Sequence, residues 1–219
     1  MYDEAQADLL QTNWEKFLRR HNRTDADGKI FRVLLNNYGG HDRYYHTFWH
    51  INGCLALLAE ARRDMPEWFA DKVRHAAIEL VLFEHDVIYD ANASEDNEER
   101  SAVLAGVHAN RLGFAQSVKL LLRPYILATK HQEPVHALGA RVVCDIDLAT
   151  LAEPWERFCE HTRQVREEYG RYSDEEFAEG RREFFREMLG RDRPIYQTGY
   201  FRDRFEKRAR ENLARVVND

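Results

Sequence analysis

The chain has 219 residues, of which 44% are hydrophobic and 32% are charged, and its formal net charge is −6. This length fits one domain that buries a sizeable core without covalent staples, and the acidic balance excludes the overall basic field that drives nonspecific nucleic-acid binding. Any anionic ligand must therefore be attracted by local cations.

Helical periodicity dominates the sequence and no run alternates strictly as a strand would, so we predict an all-α, single-domain helical bundle. In chain order the predicted helices cover approximately residues 4–19, 27–38, 47–62, 66–86, 94–113, 118–129, 137–151, 154–169, 173–189 and 201–217. Gly39 and Gly40 end the second helix. Pro66 suits the first turn of the fourth because its missing N–H would be unpaired there, and either Ser94 or Asp96 can cap the fifth.

The cysteines Cys54, Cys144 and Cys159 form an odd set without CxxC spacing, which is typical of reduced residues in a cytoplasmic protein. No basic segment followed by an apolar stretch opens the chain, and no apolar run approaches the ~20 residues needed to cross a bilayer. We therefore expect a cytoplasmic protein with no membrane partner.

Two polar residues interrupt a strongly apolar segment. His85 and Asp86 lie side by side in the run from Glu79 to Tyr89. Burying even a neutral polar group without a partner costs roughly 2–7 kcal/mol, so buried polar groups are usually paired or bound to a metal. A metal ion would resolve the conflict if other segments supplied further ligands.

Two other apolar segments offer them. His50 follows His46 by one helical turn, and Asp145 and Asp147 lie in the run 142–148. Neighbouring residues on a helix point about 100° apart, so an adjacent His and Asp can bind an ion that lies between their two directions. The remaining ligands must then come from other helices.

The ordered set His50, His85, Asp86 and Asp147 resembles the HD-domain superfamily of metal-dependent phosphohydrolases. It is most similar to a compact bacterial branch whose members generally lack an assigned substrate. The supporting segments are Arg43–His46, Asn97–Ala102 and Val165–Tyr169. The resemblance therefore runs over most of the chain.

This resemblance implies one HD-like helical domain over residues 1–219, with a metal-binding core at about 43–150 and C-terminal helices at 154–217 packing on it. It also implies hydrolysis of a phosphate ester, such as a nucleotide or small phosphorylated metabolite, by metal-activated water. The partner is then a small phosphorylated molecule rather than a nucleic-acid polymer. Exposed amphipathic helices are compatible with a homodimer, although nothing demands one.

The predicted metal ligands are His50, His85, Asp86 and Asp147. Two imidazoles with two carboxylates suit one divalent Mn, Fe, Co, Ni or Zn ion, and Mg is compatible. Relatives with two metals carry extra histidines between the HD pair and the last Asp. Here His131 is the best placed of three such histidines, so one metal is favoured over two.

Three residues are candidates for catalytic support. His46 would share a face with His50 if the third helix began early, and His131 would contact substrate phosphate or the attacking water. Asp145 and Asp147 point about 200° apart on a helix, so only one of them enters the ligand set. The family pattern favours Asp147, and Asp145 would then orient a ligand histidine.

Candidate substrate-binding residues are Arg43, Tyr45 and Lys130. Arg43 and Lys130 would neutralise phosphate, with arginine the better bidentate donor. The aromatic cluster Tyr44, Tyr45, Phe48 and Trp49 either stacks a nucleobase or belongs to the core.

Two other functions fit the same scaffold. One is a noncatalytic module that binds a nucleotide or a partner protein, and loss of a ligand would be its signature. The other is an HD-fold di-iron oxygenase, which needs bridging ligands that the few histidines between Asp86 and Asp147 do not readily supply.

Overall fold

The structure, a computed structural model, describes residues 3–91 and 96–218, and all regular secondary structure within those ranges is helical. The α-helices are α1 (Glu4–Arg20), α2 (Lys29–Tyr38), α3 (Phe48–Asp64), α4 (Lys72–Glu84), α5 (Asn97–Arg111), α6 (Gln116–Ala128), α7 (Leu138–Asp147), α8 (Trp155–Glu168), α9 (Asp174–Gly190) and α10 (Gly199–Asn218). Two short 3₁₀ turns cover Pro66–Phe69 and Leu148–Ala152. The prediction of an all-α protein is confirmed. None of the described helices has both the length and the apolar character to cross a membrane.

The segment predicted as a single fourth helix is divided. Pro66 begins the first 3₁₀ turn and not α4, which starts only at Lys72. The reason is the Asp71 side chain, which accepts hydrogen bonds from the backbone N–H groups of Val73 and Arg74 and so caps α4. At the next helix, Asp96 precedes α5 without a side-chain cap hydrogen bond, and the alternative cap Ser94 lies outside the described residues.

Helix α4 forms the centre of the core. Every residue from Ala76 to Glu84 is buried, and α3, α5, α6 and α7 all pack against this helix. A helix contacted on several sides has no single polar face, and the buried stretch of α4 is apolar except for Glu79 and Glu84. Because α4 ends at Glu84, it delivers His85 and Asp86 to the interior of the bundle.

An aromatic cluster holds the N-terminal helices on α4. The rings of Trp14 and Phe17 on α1 lie 5.1 and 5.5 Å from that of Phe83, and the Tyr38 hydroxyl on α2 donates to the Phe83 carbonyl. Each such buried side chain stabilises the fold by about 1.5–3 kcal/mol. These contacts pack α1 and α2 against the end of α4 that leads to His85.

The C-terminal helices hold the segment that follows α7. The Tyr196 hydroxyl donates to the Leu148 carbonyl, and the Asn212 amide on α10 donates to the carbonyls of Leu151 and Glu153. These bonds join α10 and the loop before it to the second 3₁₀ turn. The end of α7, which carries Asp147, is therefore supported by the last helix of the chain.

Candidate metal centre

Four polar side chains from three helices meet in the interior. His50 lies in the first turn of α3, His85 caps α4 with Asp86 next to it, and Asp147 is the last residue of α7. One ligand atom from each lies within 4.8 Å of the others. The structure thus brings together the four residues that the sequence singles out as ligands.

The spacing of these atoms fits a shared ion. His50 Nε2 lies 3.3 Å from His85 Nε2 and 3.2 Å from Asp147 Oδ1, and His85 Nε2 lies 3.0 Å from Asp86 Oδ2. Ligands bound about 2.0–2.2 Å from one ion, at angles between octahedral and tetrahedral, are separated by roughly 2.9–3.5 Å. The donor set of two imidazoles and two carboxylates suits a divalent metal.

Electrostatics hold the two carboxylates in their charged form. Burial alone would raise the pKa of Asp86 and Asp147, but the facing histidines outweigh it and keep both pKa values well below the usual range. Burial likewise opposes the charge on His85, yet the neighbouring carboxylates raise its pKa well above normal. The site is therefore anionic at the carboxylates, and a bound metal would displace protons from the imidazoles.

The two aspartates of α7 point in different directions. Asp147 Oδ1 faces the histidines, whereas the Asp145 carboxylate accepts hydrogen bonds from the backbone N–H groups of Gln197 and Thr198, at 2.7 and 2.8 Å. Burial raises the pKa of Asp145 to about 6. The structure does not bring Asp145 to a ligand histidine, because residues two apart on a helix face opposite sides. Asp145 instead joins α7 to the start of α10.

His131 contacts Asp147 directly. Its Nε2 lies 2.8 Å from Asp147 Oδ2, the oxygen that does not face the histidine pair. Its backbone is left-handed, with a φ of 56°, and its carbonyl accepts a hydrogen bond from Arg191. That conformation is uncommon outside glycine and is often found at functional sites. His131 therefore lies beside Asp147, and its contact with substrate phosphate or with the attacking water stays a prediction.

His46 lies outside the helix that was expected to carry it. Helix α3 starts at Phe48, capped by the Thr47 side chain, so His46 and His50 do not share a helical face. His46 nevertheless reaches the site, since its Nε2 lies 4.0 Å from Asp86 Oδ2 and its ring stacks on Tyr89 at 3.8 Å.

Glu168, at the end of α8, holds His46 in place. One carboxylate oxygen accepts hydrogen bonds from the backbone N–H groups of Tyr44, Tyr45 and His46, and the other lies 2.7 Å from His46 Nδ1. Burial would raise the pKa of Glu168, but His46 and these donors lower it. Sequence reasoning missed this role. The only signal was the position of Glu168 within the matching segment Val165–Tyr169.

Arg43 does not face a substrate. Its guanidinium is buried and donates to the backbone carbonyls of His46, Asp86 and Val87 at 2.8–3.1 Å. These three bonds use three of its five N–H donors and join the loop before α3 to the segment after α4. The expectation that Arg43 binds phosphate is therefore corrected to a structural role.

A cavity of about 240 Å³, the metal-side cavity, opens over the carboxylate side of the site. Its lining includes Asp86, Asp147, His46, His131 and the two remaining predicted substrate-binding residues, Tyr45 and Lys130. The Tyr45 hydroxyl lies 2.6 Å from Thr150 Oγ1, and Lys130 Nζ lies 3.7 Å from a Glu98 carboxylate oxygen.

The aromatic cluster before and within α3 is divided between surface, core and cavity. Tyr44 and Trp49 are exposed and Phe48 is buried in the core, whereas Tyr45 alone among the four lines the metal-side cavity. The cluster therefore does not form one stacking platform.

Arg181 on α9 also lines this cavity, and sequence reasoning missed it. Within residues 3–91 and 96–218, no carboxylate forms an ion pair with it, and its buried Nε has no hydrogen-bond partner. The guanidinium lies instead over the ring of Phe185, at 4.5 Å. Its sequence surroundings, a charged amphipathic helix, gave no sign of this position.

A second histidine and carboxylate group lies away from this site. His21, His75 and Glu79 also place ligand atoms within 4.8 Å of one another. Arg20, however, forms an ion pair with the Glu79 carboxylate, and His21 Nε2 lies 2.8 Å from its other oxygen. A guanidinium already neutralises this carboxylate, so we assign no metal to the group.

Comparison with known proteins gives no relative for this chain: no family model matches it, and no curated protein or solved structure resembles it significantly. The resemblance to the HD-domain superfamily stays a prediction. Function must therefore be inferred from the geometry of the site.

Proposed function

We propose that the protein is a metal-dependent phosphohydrolase of the HD-domain type that cleaves a phosphate ester of a nucleotide or of another small metabolite. The observation that carries the proposal is the convergence of His50, His85, Asp86 and Asp147 at the floor of a cavity with cationic side chains on its wall. The two histidines are buried and the two carboxylates are half-buried, so the anionic side of the group faces the cavity.

These four residues would hold one divalent ion. Such an ion, when bound, lowers the pKa of a water ligand and neutralises charge on a phosphoryl group. Arg181 lines the same cavity and supplies the local positive charge that an acidic chain needs if it is to attract a phosphate, and Lys130 lies there beside Glu98.

His46 is the best-supported proton donor. Its Nδ1 is held by Glu168, which leaves Nε2 facing Asp86 and the cavity. A histidine oriented in this way by a carboxylate can protonate the departing oxygen of an ester, and general acid catalysis of this kind contributes about 10²–10⁴ in rate.

The test begins with elemental analysis of protein purified without added metal. We expect one equivalent of a divalent ion in the wild type, and none in Asp147→Asn, which preserves side-chain shape, or in His85→Ala. His136→Ala is the matched control, because His136 is exposed and lies outside the ligand group. Circular dichroism verifies that each variant is folded. Stoichiometric metal in Asp147→Asn would refute the ligand assignment.

A panel of phosphate esters with the identified ion then tests the reaction. Release of inorganic phosphate by the wild type, and its loss in Asp147→Asn, is the expected result. Metal-loaded protein that releases no phosphate but gains thermal stability with nucleotides would favour the noncatalytic module. Oxygen consumption with ferrous iron and no phosphate release would favour the oxygenase.

A further inference from the structure

A second cavity, of about 550 Å³, lies between the end of α1 and the starts of α4 and α6, and it shares no lining residue with the metal-side cavity. We call it the basic cavity, because its lining includes Arg20, Arg23 and Lys72 and, within the parts of the chain that the structure describes, no aspartate or glutamate. The net charge of the whole chain is −6, so the sign of the charge is reversed here. Such a reversal indicates a site for an anion.

The wall of the basic cavity carries a cation without a counterion. Across residues 3–91 and 96–218, Arg23 forms no ion pair, and its buried Nε has no hydrogen-bond partner. Its guanidinium lies over the Phe114 ring, with Cζ 4.7 Å from the ring centroid. A charge that is taken partly out of water without a partner is unfavourable, and a carboxylate in the cavity would supply the bidentate contact that guanidinium makes.

Two further features of the wall suit a negative group. His75 Nε2 is buried without a hydrogen-bond partner, since the Glu79 carboxylate oxygen behind it lies 3.6 Å away. Helix α6 begins at the wall with Ala115, and no side chain caps this helix. The positive end of its dipole is therefore not neutralised by a side chain at the cavity.

The balance of charges suits a ligand with one negative charge. The Glu79 carboxylate already neutralises Arg20, and Lys72 is exposed to solvent. Burial lowers the pKa of His75 to about 4, so its imidazole is neutral at pH 7. The half-buried Arg23 guanidinium is left to be balanced, and one carboxylate balances it.

The floor of the basic cavity is apolar. It is lined by four buried side chains, those of Phe69, Ala76, Phe114 and Val118. The volume of the cavity falls in the range of small-molecule sites, which are commonly apolar with a few polar groups that fix orientation. A ligand that fills it therefore needs an apolar body as well as a charged head.

We propose that the basic cavity binds a small organic acid, with its single carboxylate on Arg23 and its apolar body on the floor, at a site separate from the metal centre. The inference goes beyond the proposed function, because none of the four metal-ligand candidates lines this cavity. The cavity lies at the start of α4, whereas His85 and Asp86 follow the end of the same helix.

The test is an NMR titration of the ¹⁵N-labelled protein with hexanoate, hexanamide and acetate. Hexanamide has the same chain without the charge, and acetate has the charge without the chain. We expect hexanoate to bind at least about tenfold more tightly than either compound and to shift the amide signals of the residues that line the basic cavity. Equal affinity for hexanoate and hexanamide, or shifts confined to residues outside this lining, would overturn the proposal.

Three variants locate the carboxylate. Arg23→Gln should weaken hexanoate binding at least about tenfold, and Arg19→Gln is the matched control, because Arg19 is exposed on α1 and does not line the cavity. Asp147→Asn alters the candidate metal centre and should bind hexanoate as the wild type does. Unchanged affinity in Arg23→Gln contradicts the proposal, and loss of binding in Asp147→Asn would move the carboxylate to the metal centre and refute it too. If Arg23→Gln does not fold, the comparison of hexanoate with hexanamide on the wild type decides the question.

Discussion

Replacing Glu168 by glutamine tests whether Glu168 supports His46 without taking part in metal binding. The substitution preserves side-chain size but removes the charge and turns one oxygen into an NH₂ group. The remaining oxygen can still accept from the backbone N–H groups of residues 44–46. The new NH₂ group then meets His46 Nδ1, which is 2.7 Å from the carboxylate in the wild type. His46 must therefore present Nδ1 as an acceptor and carry its proton on Nε2.

The size of the effect follows from the bonds that change. Hydrogen bonds to charged groups contribute about 1.5–3 kcal/mol each, against about 0.5–1.5 kcal/mol for neutral pairs. Three backbone bonds lose this charge assistance, about 1–1.5 kcal/mol each, but they share one oxygen and are less than additive, so we expect a loss of about 2–3 kcal/mol in the free energy of unfolding. For a chain of this length that corresponds to a fall in Tm of about 4–12 °C.

Thermal unfolding, elemental analysis and phosphate release test this variant together. We expect lower Tm, unchanged metal content, and a kcat reduced about a hundredfold or more, because a His46 ring that accepts at Nδ1 is neutral, and a neutral imidazole is a far weaker proton donor than an imidazolium. Glu167→Gln is the matched control, since Glu167 is exposed and lies next to Glu168 on α8. Wild-type Tm and kcat in Glu168→Gln would refute the reasoning, and loss of metal would show that Glu168 supports the ligands instead.

Three further predictions concern stability. Gly139→Ala should destabilise the protein by about 1–3 kcal/mol, since its Cβ would clash with the Tyr125 hydroxyl and lie 2.6 Å from two ring carbons, whereas Gly106→Ala, with open space, should stabilise it by about 0.5–1 kcal/mol in urea unfolding. Arg43→Lys should cost about 2–4 kcal/mol in the same assay, because lysine cannot bridge three carbonyls. Burial lowers the pKa of His75 to about 4, below its unfolded value of about 6.5. Between these two pH values only the unfolded chain takes up the proton, so the free energy of unfolding is highest above pH 6.5 and falls towards pH 4. His75→Gln should remove about 2 kcal/mol of this pH dependence, and an unchanged profile would contradict the assignment.

The His85 and Asp86 pair could be predicted because the evidence for it is local, whereas His50 and Asp147 were expected from the resemblance to the HD-domain superfamily. His85 and Asp86 conflict with the apolar run around them, and that conflict is visible without any tertiary structure. The helices follow for the same reason, since periodicity and capping side chains act over a few residues. The one divided helix shows the limit, because the Asp71 cap competes with an equally plausible start at Pro66.

The supporting residues could not be predicted because their partners are distant in sequence. Glu168 binds backbone groups more than 120 residues away, and Arg43 binds carbonyls 43 and 44 residues away. Nothing in the spacing distinguishes Glu168 from the exposed charges around it on α8. Arg181 likewise follows the pattern of a solvated helix, and only the packing of α9 beside the site leaves it without a carboxylate partner.

The sequence by itself determined the helical class of this protein and the conflict at His85 and Asp86, two polar residues that need partners. Both depend on short-range properties, namely helical periodicity and the cost of placing charge in apolar surroundings. The tertiary structure alone decided which aspartate of α7 faces the histidines, which carboxylate holds His46 and which cation lies at the cavity wall. These choices depend on how separate helices pack, and a side chain's neighbours across a bundle are not encoded in its spacing along the chain.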